Sequence, residues 1–85
     1  AEGVEQIFKI HTKNMTLDSK IKLKELNKKL VGYSGAEIKA VCTEAGYFAI
    51  RANRTKILAK DFDEALIKVQ REEELEGDDY MKMFG

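Results

Sequence analysis

Apolar residues recur at helical spacing in four stretches of the chain, separated by short polar or glycine-bearing links. In the first stretch Val4, Ile7, Phe8 and Ile10 mark one face, and the pattern fades by Asn14. Residues 14–20 read as a loop in which Asp18 or Ser19 is placed to cap the second helix. The second stretch, about residues 21–31, carries Leu23, Leu26 and Leu30 as its apolar stripe. Its Lys20, Lys24 and Lys28 lie four apart and share the outer face. Gly32 is suited to end this helix, because glycine takes the left-handed conformation that closes many helices.

The third stretch opens on the clearest local signal in the chain. Ser34 is followed three residues later by Glu37, the spacing of a capping box. Each side chain can then satisfy the other's backbone amide. Ile38, Val41, Cys42, Ala45, Ala49 and Ala52 mark one buried face of a helix expected to run to about Asn53. Gly46 lies inside it at a cost of about 1 kcal/mol against alanine, which predicts close packing by a neighbouring helix. Residues 55–58 are β-prone but isolated, and read as an extended connector. The fourth helix is predicted to open near Ala59 and Asp61, where acids favour the helix dipole, with Phe62, Ala65, Leu66 and Val69 facing inward.

After Arg71 the run Glu72, Glu73, Glu74, Glu76, Asp78 and Asp79 breaks the amphipathic pattern. Helix is expected to continue to about Glu76, and Gly77 with the like charges favours fraying beyond it. The chain therefore divides into a helical domain over 1–76 and a flexible tail over 77–85. Tyr80, Met81, Met83 and Phe84 make the tail's end apolar again, as in a peptide offered to a partner. The resulting fold class is all-α: a four-helix bundle with short connectors and antiparallel neighbours.

Composition sharpens this picture. The chain has 85 residues, is 44% hydrophobic and 35% charged, and has no proline, which suits one helix-rich domain. The apolar runs are too short to cross a bilayer, no charged-then-apolar leader opens the sequence, and a cytoplasmic protein is the default expectation. The formal charge is zero but unevenly spread. Residues 1–60 hold 12 Lys and Arg against 6 Asp and Glu, whereas residues 61–85 hold 3 against 9. A basic body admits nucleic acid, through Lys20, Lys22, Lys24, Lys28 and Lys29, or an acidic protein partner. A solvated surface is the plainer reading of the same charges.

Catalytic chemistry is hard to place. There is no GxxxxGK[ST], GxGxxG or GxSxG stretch, and a single histidine rules out HExxH. The one cysteine, Cys42, sits among apolar residues and reads as a small buried hydrophobe. With His11 it cannot complete a metal site. No carboxylate pair stands out from the surface acids as a general acid and base.

Two stretches say more. Residues 7–15 read Ile-Phe-Lys-Ile-His-Thr-Lys-Asn-Met, and residues 32–46 read Gly-Tyr-Ser-Gly-Ala-Glu-Ile-Lys-Ala-Val-Cys-Thr-Glu-Ala-Gly. Together they resemble the small C-terminal lid subdomain of classical AAA+ ATPases. Residues 41–46 are most similar to the proteasomal branch: the archaeal proteasome-activating nucleotidases and the eukaryotic regulatory-particle ATPases. The Cdc48-like unfoldases share the stretch around His11, but often have a longer link between the third and fourth helices.

The resemblance carries expectations. The parent would be a hexameric ATPase, with ATP and Mg²⁺ held mainly by a large subdomain outside these 85 residues, so that the chain alone is expected to be non-catalytic and to bind little or no nucleotide. In the parent, His11 matches the histidine that lies by the adenosine, and Gly35 and Ala36 match the backbone turn that packs on the nucleotide. A helix start offers free amides there, and small residues let the backbone come close. The position where many AAA+ relatives carry a sensor arginine reads Gly35-Ala36-Glu37, so no catalytic arginine is assigned; Arg51 and Arg54 read as surface or subunit-interface residues. Implied partners are neighbouring ring subunits, the α-ring of the proteasome core through Met83, Phe84 and Gly85, and an assembly chaperone on a face free before ring assembly. Phe84 stands where the family's tail has tyrosine, which removes one hydroxyl. Nucleic acid and membrane are not expected, and the nucleus joins the cytoplasm as a location if the parent is eukaryotic.

Overall fold

Phe8 from the first helix and Phe62 from the fourth meet with ring centroids 5.5 Å apart, and the remaining core closes around them. The computed structural model describes the backbone of residues 2–84 and the side chains of residues 3–73. It contains α1 (Glu2–Thr12), α2 (Leu23–Lys29), α3 (Gly35–Arg51) and α4 (Ala59–Phe84). α3 packs on both α1 and α4, and α2 rests on α1. The all-α bundle expected from the periodicity is the fold observed. Ile38, Val41, Cys42, Ala45 and Ala49 of α3 are buried, as are Phe62, Ala65, Leu66 and Val69 of α4 and Leu26 and Leu30 around α2. Among the described residues no helix is long and apolar enough to cross a membrane.

Several expected core positions face outward. Ile10 and Leu23 are exposed, because α1 and α2 present only one narrow stripe each to the bundle. Ala52 is exposed because α3 ends earlier than expected, with Ala52 as its C-cap. The termination has a clear cause. Asn53 takes φ 56°, its N–H donates to the Ile50 carbonyl, and the Arg54 N–H donates to the Ala49 carbonyl. This is a Schellman closure with asparagine in the left-handed position usually held by glycine.

α2 is also shorter than expected. Its N-cap is Lys22, with no side-chain cap, so neither Asp18 nor Ser19 takes that role. Gly32 does have the positive φ expected of it, at 91°, in a turn closed by the Tyr33 N–H donating to the Leu30 carbonyl.

The connector at 55–58 is not isolated. Ile57 forms a parallel bridge with Leu17, the Ile57 N–H donating to the Thr16 carbonyl and the Asp18 N–H to the Ile57 carbonyl, both at 2.9 Å. Two short links that lie 40 positions apart in the sequence thus satisfy each other's backbone.

Gly46 does not meet a neighbouring helix. A Cβ placed there would lie 3.8 Å from the Met15 Cε, an ordinary contact, so packing within the chain does not require the glycine. α4 runs on past residue 76, where its end was expected, to Phe84. The flexible tail expected over 77–85, and the docking side chains of Met83, Phe84 and Gly85 with it, lie outside the residues whose side chains are described.

Candidate functional site

The start of α3 is held from both sides of its own backbone. Ser34 is extended at φ −72° and ψ 164°, which aims its hydroxyl back over the first turn. The Glu37 N–H donates to Ser34 Oγ at 3.1 Å, and the Ser34 N–H donates to Glu37 Oε1 at 2.8 Å. The expected capping box is therefore complete. It satisfies the first and fourth amides of the run and leaves those of Gly35 and Ala36. Neither has an acceptor among the described residues, and both residues are exposed.

The surroundings of that amide pair are acidic. A shallow groove of about 240 Å³ beside it is lined by Ala36, Glu37, Ala40, Val69, Glu72 and Glu73. The Ser34 amide holds the Glu37 carboxyl below the usual carboxylate range, with a further lowering from the Glu73 carboxyl beside it. Carboxylates around the positive end of α3 offset its attraction for anions. Such a site suits a neutral group that both accepts from backbone amides and donates to carboxylates. It does not suit a phosphate.

His11 sits in the last turn of α1 and is half-buried. Its ring has no hydrogen-bond partner among the described residues. Ile7, one turn earlier on the same face of α1, comes to 3.9 Å from where a Cβ on Gly35 would lie. The α1 face that carries His11 is thus turned toward the start of α3. Of the three residues matched by resemblance, Ala36 lines the groove between α3 and α4, whereas His11 and Gly35 do not.

Sequence reasoning missed the tightest polar cluster. Asp61, only 1% exposed, accepts from Arg54 through both carboxylate oxygens, at 2.6 and 2.8 Å, and from the Leu58 N–H at 2.8 Å. Arg54 also donates to the Lys56 carbonyl at 3.3 Å. The guanidinium, and after it the Leu58 amide, hold the Asp61 carboxyl below its ordinary range against the opposing effect of burial. Arg54, read from sequence as a surface or subunit-interface residue, is instead tied into a clamp across the α3–α4 turn, with its side chain 25% exposed. Arg51 is exposed, with its guanidinium 6.0 Å from the centre of the Phe48 ring.

The remaining chemistry is inert. Cys42 is buried, and burial pushes its thiol up to about 11. Among the described residues no group of three or more His, Cys, Asp or Glu is arranged to hold a metal ion.

Comparison with known families bears out the resemblance to an AAA+ lid. The AAA+ lid domain family model matches residues 20–64, more than half of the chain. This chain is an AAA+ lid domain. The lid is 54% identical over 68 residues to the proteasome-activating nucleotidase of Archaeoglobus fulgidus, covering 80% of this chain and 17% of that protein. It is 51% identical over 73 residues to the proteasome-activating nucleotidase of Methanococcus vannielii, covering 86% of this chain and 18% of that protein. With the 26S proteasome regulatory subunit 8 homolog B of Arabidopsis thaliana it shares 48% identity over 67 residues, 79% of this chain and 16% of that protein. The lid thus spans less than a fifth of the length of these curated relatives.

Proposed function

We propose that the lid belongs to a hexameric proteasomal AAA+ ATPase that unfolds protein substrates and delivers them to the proteasome core. The observation that carries this reading is the 54% identity over 68 residues with a proteasome-activating nucleotidase. The geometry supports a division of labour within it. His11 and the free amides of Gly35 and Ala36 form one wall against the base and ribose of ATP, whose hydroxyls and ring nitrogens match a site of amides and carboxylates. The phosphates and Mg²⁺ belong to a large subdomain, where most of the binding energy and all of the hydrolysis chemistry reside. Nucleotide state moves the lid against its neighbours in the ring as a rigid body. Met83, Phe84 and Gly85 dock on the core α-ring, an assembly chaperone takes the exposed lid face before ring closure, and the complex works in the cytoplasm.

A transplant tests the reading. The corresponding lid of the Archaeoglobus fulgidus proteasome-activating nucleotidase is replaced with this chain. The expected chimera assembles, hydrolyses ATP and drives degradation of a folded, tagged substrate by the core particle. An assembled chimera without ATP hydrolysis sinks the lid assignment; hydrolysis without stimulated degradation sinks the proteasomal part. Within an active chimera, His11→Ala and Gly35→Leu should raise KM for ATP, and an unchanged KM removes these residues from the nucleotide wall. Deleting residues 83–85 should abolish gate opening while leaving ATP hydrolysis in place, and unchanged gate opening removes the docking role.

A further inference from the structure

α2 is the least secured element of the bundle. It has 7 residues, far below the roughly 12 at which an isolated helix is even marginal in water. It must therefore be held by packing, and little packing holds it. Its backbone comes near α1 and scarcely near α3 or α4. Leu26 and Leu30 are buried, but Leu23 and Val31, also in this segment, are 46% and 58% exposed. Open grooves run along both of its sides. One, of about 310 Å³, has Leu26, Ala59 and Phe62 in its lining; the other, of about 250 Å³, has Leu23, Asn27 and Val31. Asn27 Oδ1 is shielded from solvent and has no hydrogen-bond donor among the described residues. That unsatisfied acceptor is unfavourable only while the segment is docked, because undocking returns it to water.

The charges act in the same direction. Lys22, at the N-cap, supplies no side-chain hydrogen bond to the first turn, and Lys22 and Lys24 place positive charge at the positive end of the helix. Lys24 and Lys28 are a like-charge pair one turn apart. Among the described residues the segment's ion pair is Lys29 with Asp63 at 2.9 Å, and both side chains are more than half exposed, so the tie is weak.

The two ends differ from the middle. Before the segment, Leu17 is fixed by its bridge to Ile57; after it, Ser34 is fixed by the capping box of α3. Between each anchor and the helix lies a turn: the Ile21 N–H donates to the Asp18 carbonyl on one side, and Gly32 takes φ 91° on the other. A Cβ at Gly32 would meet nothing within 4 Å, so the demand for glycine there is purely one of backbone conformation.

We propose that residues 21–31 are a hinged strap that undocks as one unit, turning at Gly32 and at the 18–21 turn, while α1, α3 and α4 stay folded. Undocking withdraws Leu26 and Leu30 from the core and opens Phe62, fully buried in the closed lid, on that side. The lid then has two states that differ in one element and in the apolar surface they present. This device is independent of the nucleotide and proteasome reading above.

The test is amide hydrogen exchange of the 85-residue chain, resolved by residue and repeated at low urea concentrations. The amides of residues 26–31 should share one opening, exchange at least about 100-fold faster than the buried part of α3, and depend less steeply on urea. Three variants separate a strap from its alternatives. Lys22→Asp supplies the missing cap and should slow exchange in the strap about five-fold. Gly32→Ala is strained only while the strap is docked and should speed it at least about five-fold. Gly46→Ala stabilises α3, which stays folded in both states, so it should slow exchange in α3 about two- to five-fold and leave the strap unchanged. Strap amides that match α3 in rate and urea dependence, or that slow with Gly46→Ala, would make the lid a single cooperative unit and overturn the proposal. Protection graded from the ends of α2 inward, with no response to Gly32→Ala, would mean fraying and overturn it as well. So would exchange at the rate of an unfolded peptide, which would mean that the strap is not docked at all.

Discussion

Replacing Asp61 with alanine removes the anchor of the α3–α4 turn, and the structure allows the loss to be estimated. Three donors converge on this carboxylate: both arms of Arg54 and the Leu58 N–H, the amide just before α4. Breaking a fully buried ion pair by deleting one partner costs about 3–5 kcal/mol. Here the Arg54 side chain is 25% exposed and can rehydrate, which reduces that penalty. Loss of a hydrogen bond at a helix start adds about 1 kcal/mol. A net destabilisation of about 3 kcal/mol results, equivalent to a fall in melting temperature of about 12–24 °C for a domain of this size. The measurement is a thermal melt followed at 222 nm for wild type and Asp61→Ala at pH 7.

The same variant carries a pH signature. The folded Asp61 carboxyl lies below its unfolded value of about 3.9, so its contribution is fully present above that pH. It is lost as pH falls through the lower, folded value. The gap between wild type and Asp61→Ala should therefore stay constant from neutral pH down to about 5 and narrow below about 4. Glu37, also lowered, keeps titrating in both proteins, so the variant's acid sensitivity is reduced and not abolished. A gap of less than about 4 °C at pH 7, or one that does not narrow in acid, would refute the clamp as a source of stability.

Other outcomes hang on single positions. Gly46→Ala should stabilise the chain by about 0.5–1 kcal/mol in urea unfolding, because the added methyl meets only the Met15 Cε at an ordinary 3.8 Å and the helix gains propensity. Ser34→Ala should cost about 1 kcal/mol in the same assay, since it leaves the Glu37 amide uncapped. Cys42 should react with a thiol reagent at pH 7 only as fast as the lid opens, and a fast reaction in native buffer would contradict its burial and raised pKa of about 11.

The parts of the lid that could be read from sequence are those set by spacing along one element. The box of Ser34 and Glu37 depends on residues three apart, and the buried face of α3 obeys helical periodicity from Ile38 to Ala49. Ile10 and Leu23 share that periodicity, yet their exposure depends on how far α1 and α2 reach across their neighbours, which no local pattern encodes. The bridge of Leu17 with Ile57 joins two links far apart in sequence, so each alone looks like a plain connector. Arg54 and Asp61 are seven apart, but only the left-handed turn at Asn53 swings the arginine back over the first turn of α4. The one signal within reach was the pairing of an arginine and an acid across a short connector, with Asn53 as a helix stop.

At the candidate site the limit was of a different kind. Resemblance assigned His11, Gly35 and Ala36 residue by residue, whereas the electrostatics of their corner arise from α4 as much as from α3. Val69 brings α4 onto Ala36 and Ala40, and Glu72 and Glu73 therefore arrive beside the α3 amides. A bare helix start attracts anions, but one ringed by Glu37, Glu72 and Glu73 selects against them. The start of the acidic run, which looks from sequence like a break in amphipathicity, thus has a consequence inside the lid. It biases this corner toward an uncharged polar group over an anion, which in the proposed nucleotide wall would favour the base and ribose over the phosphates.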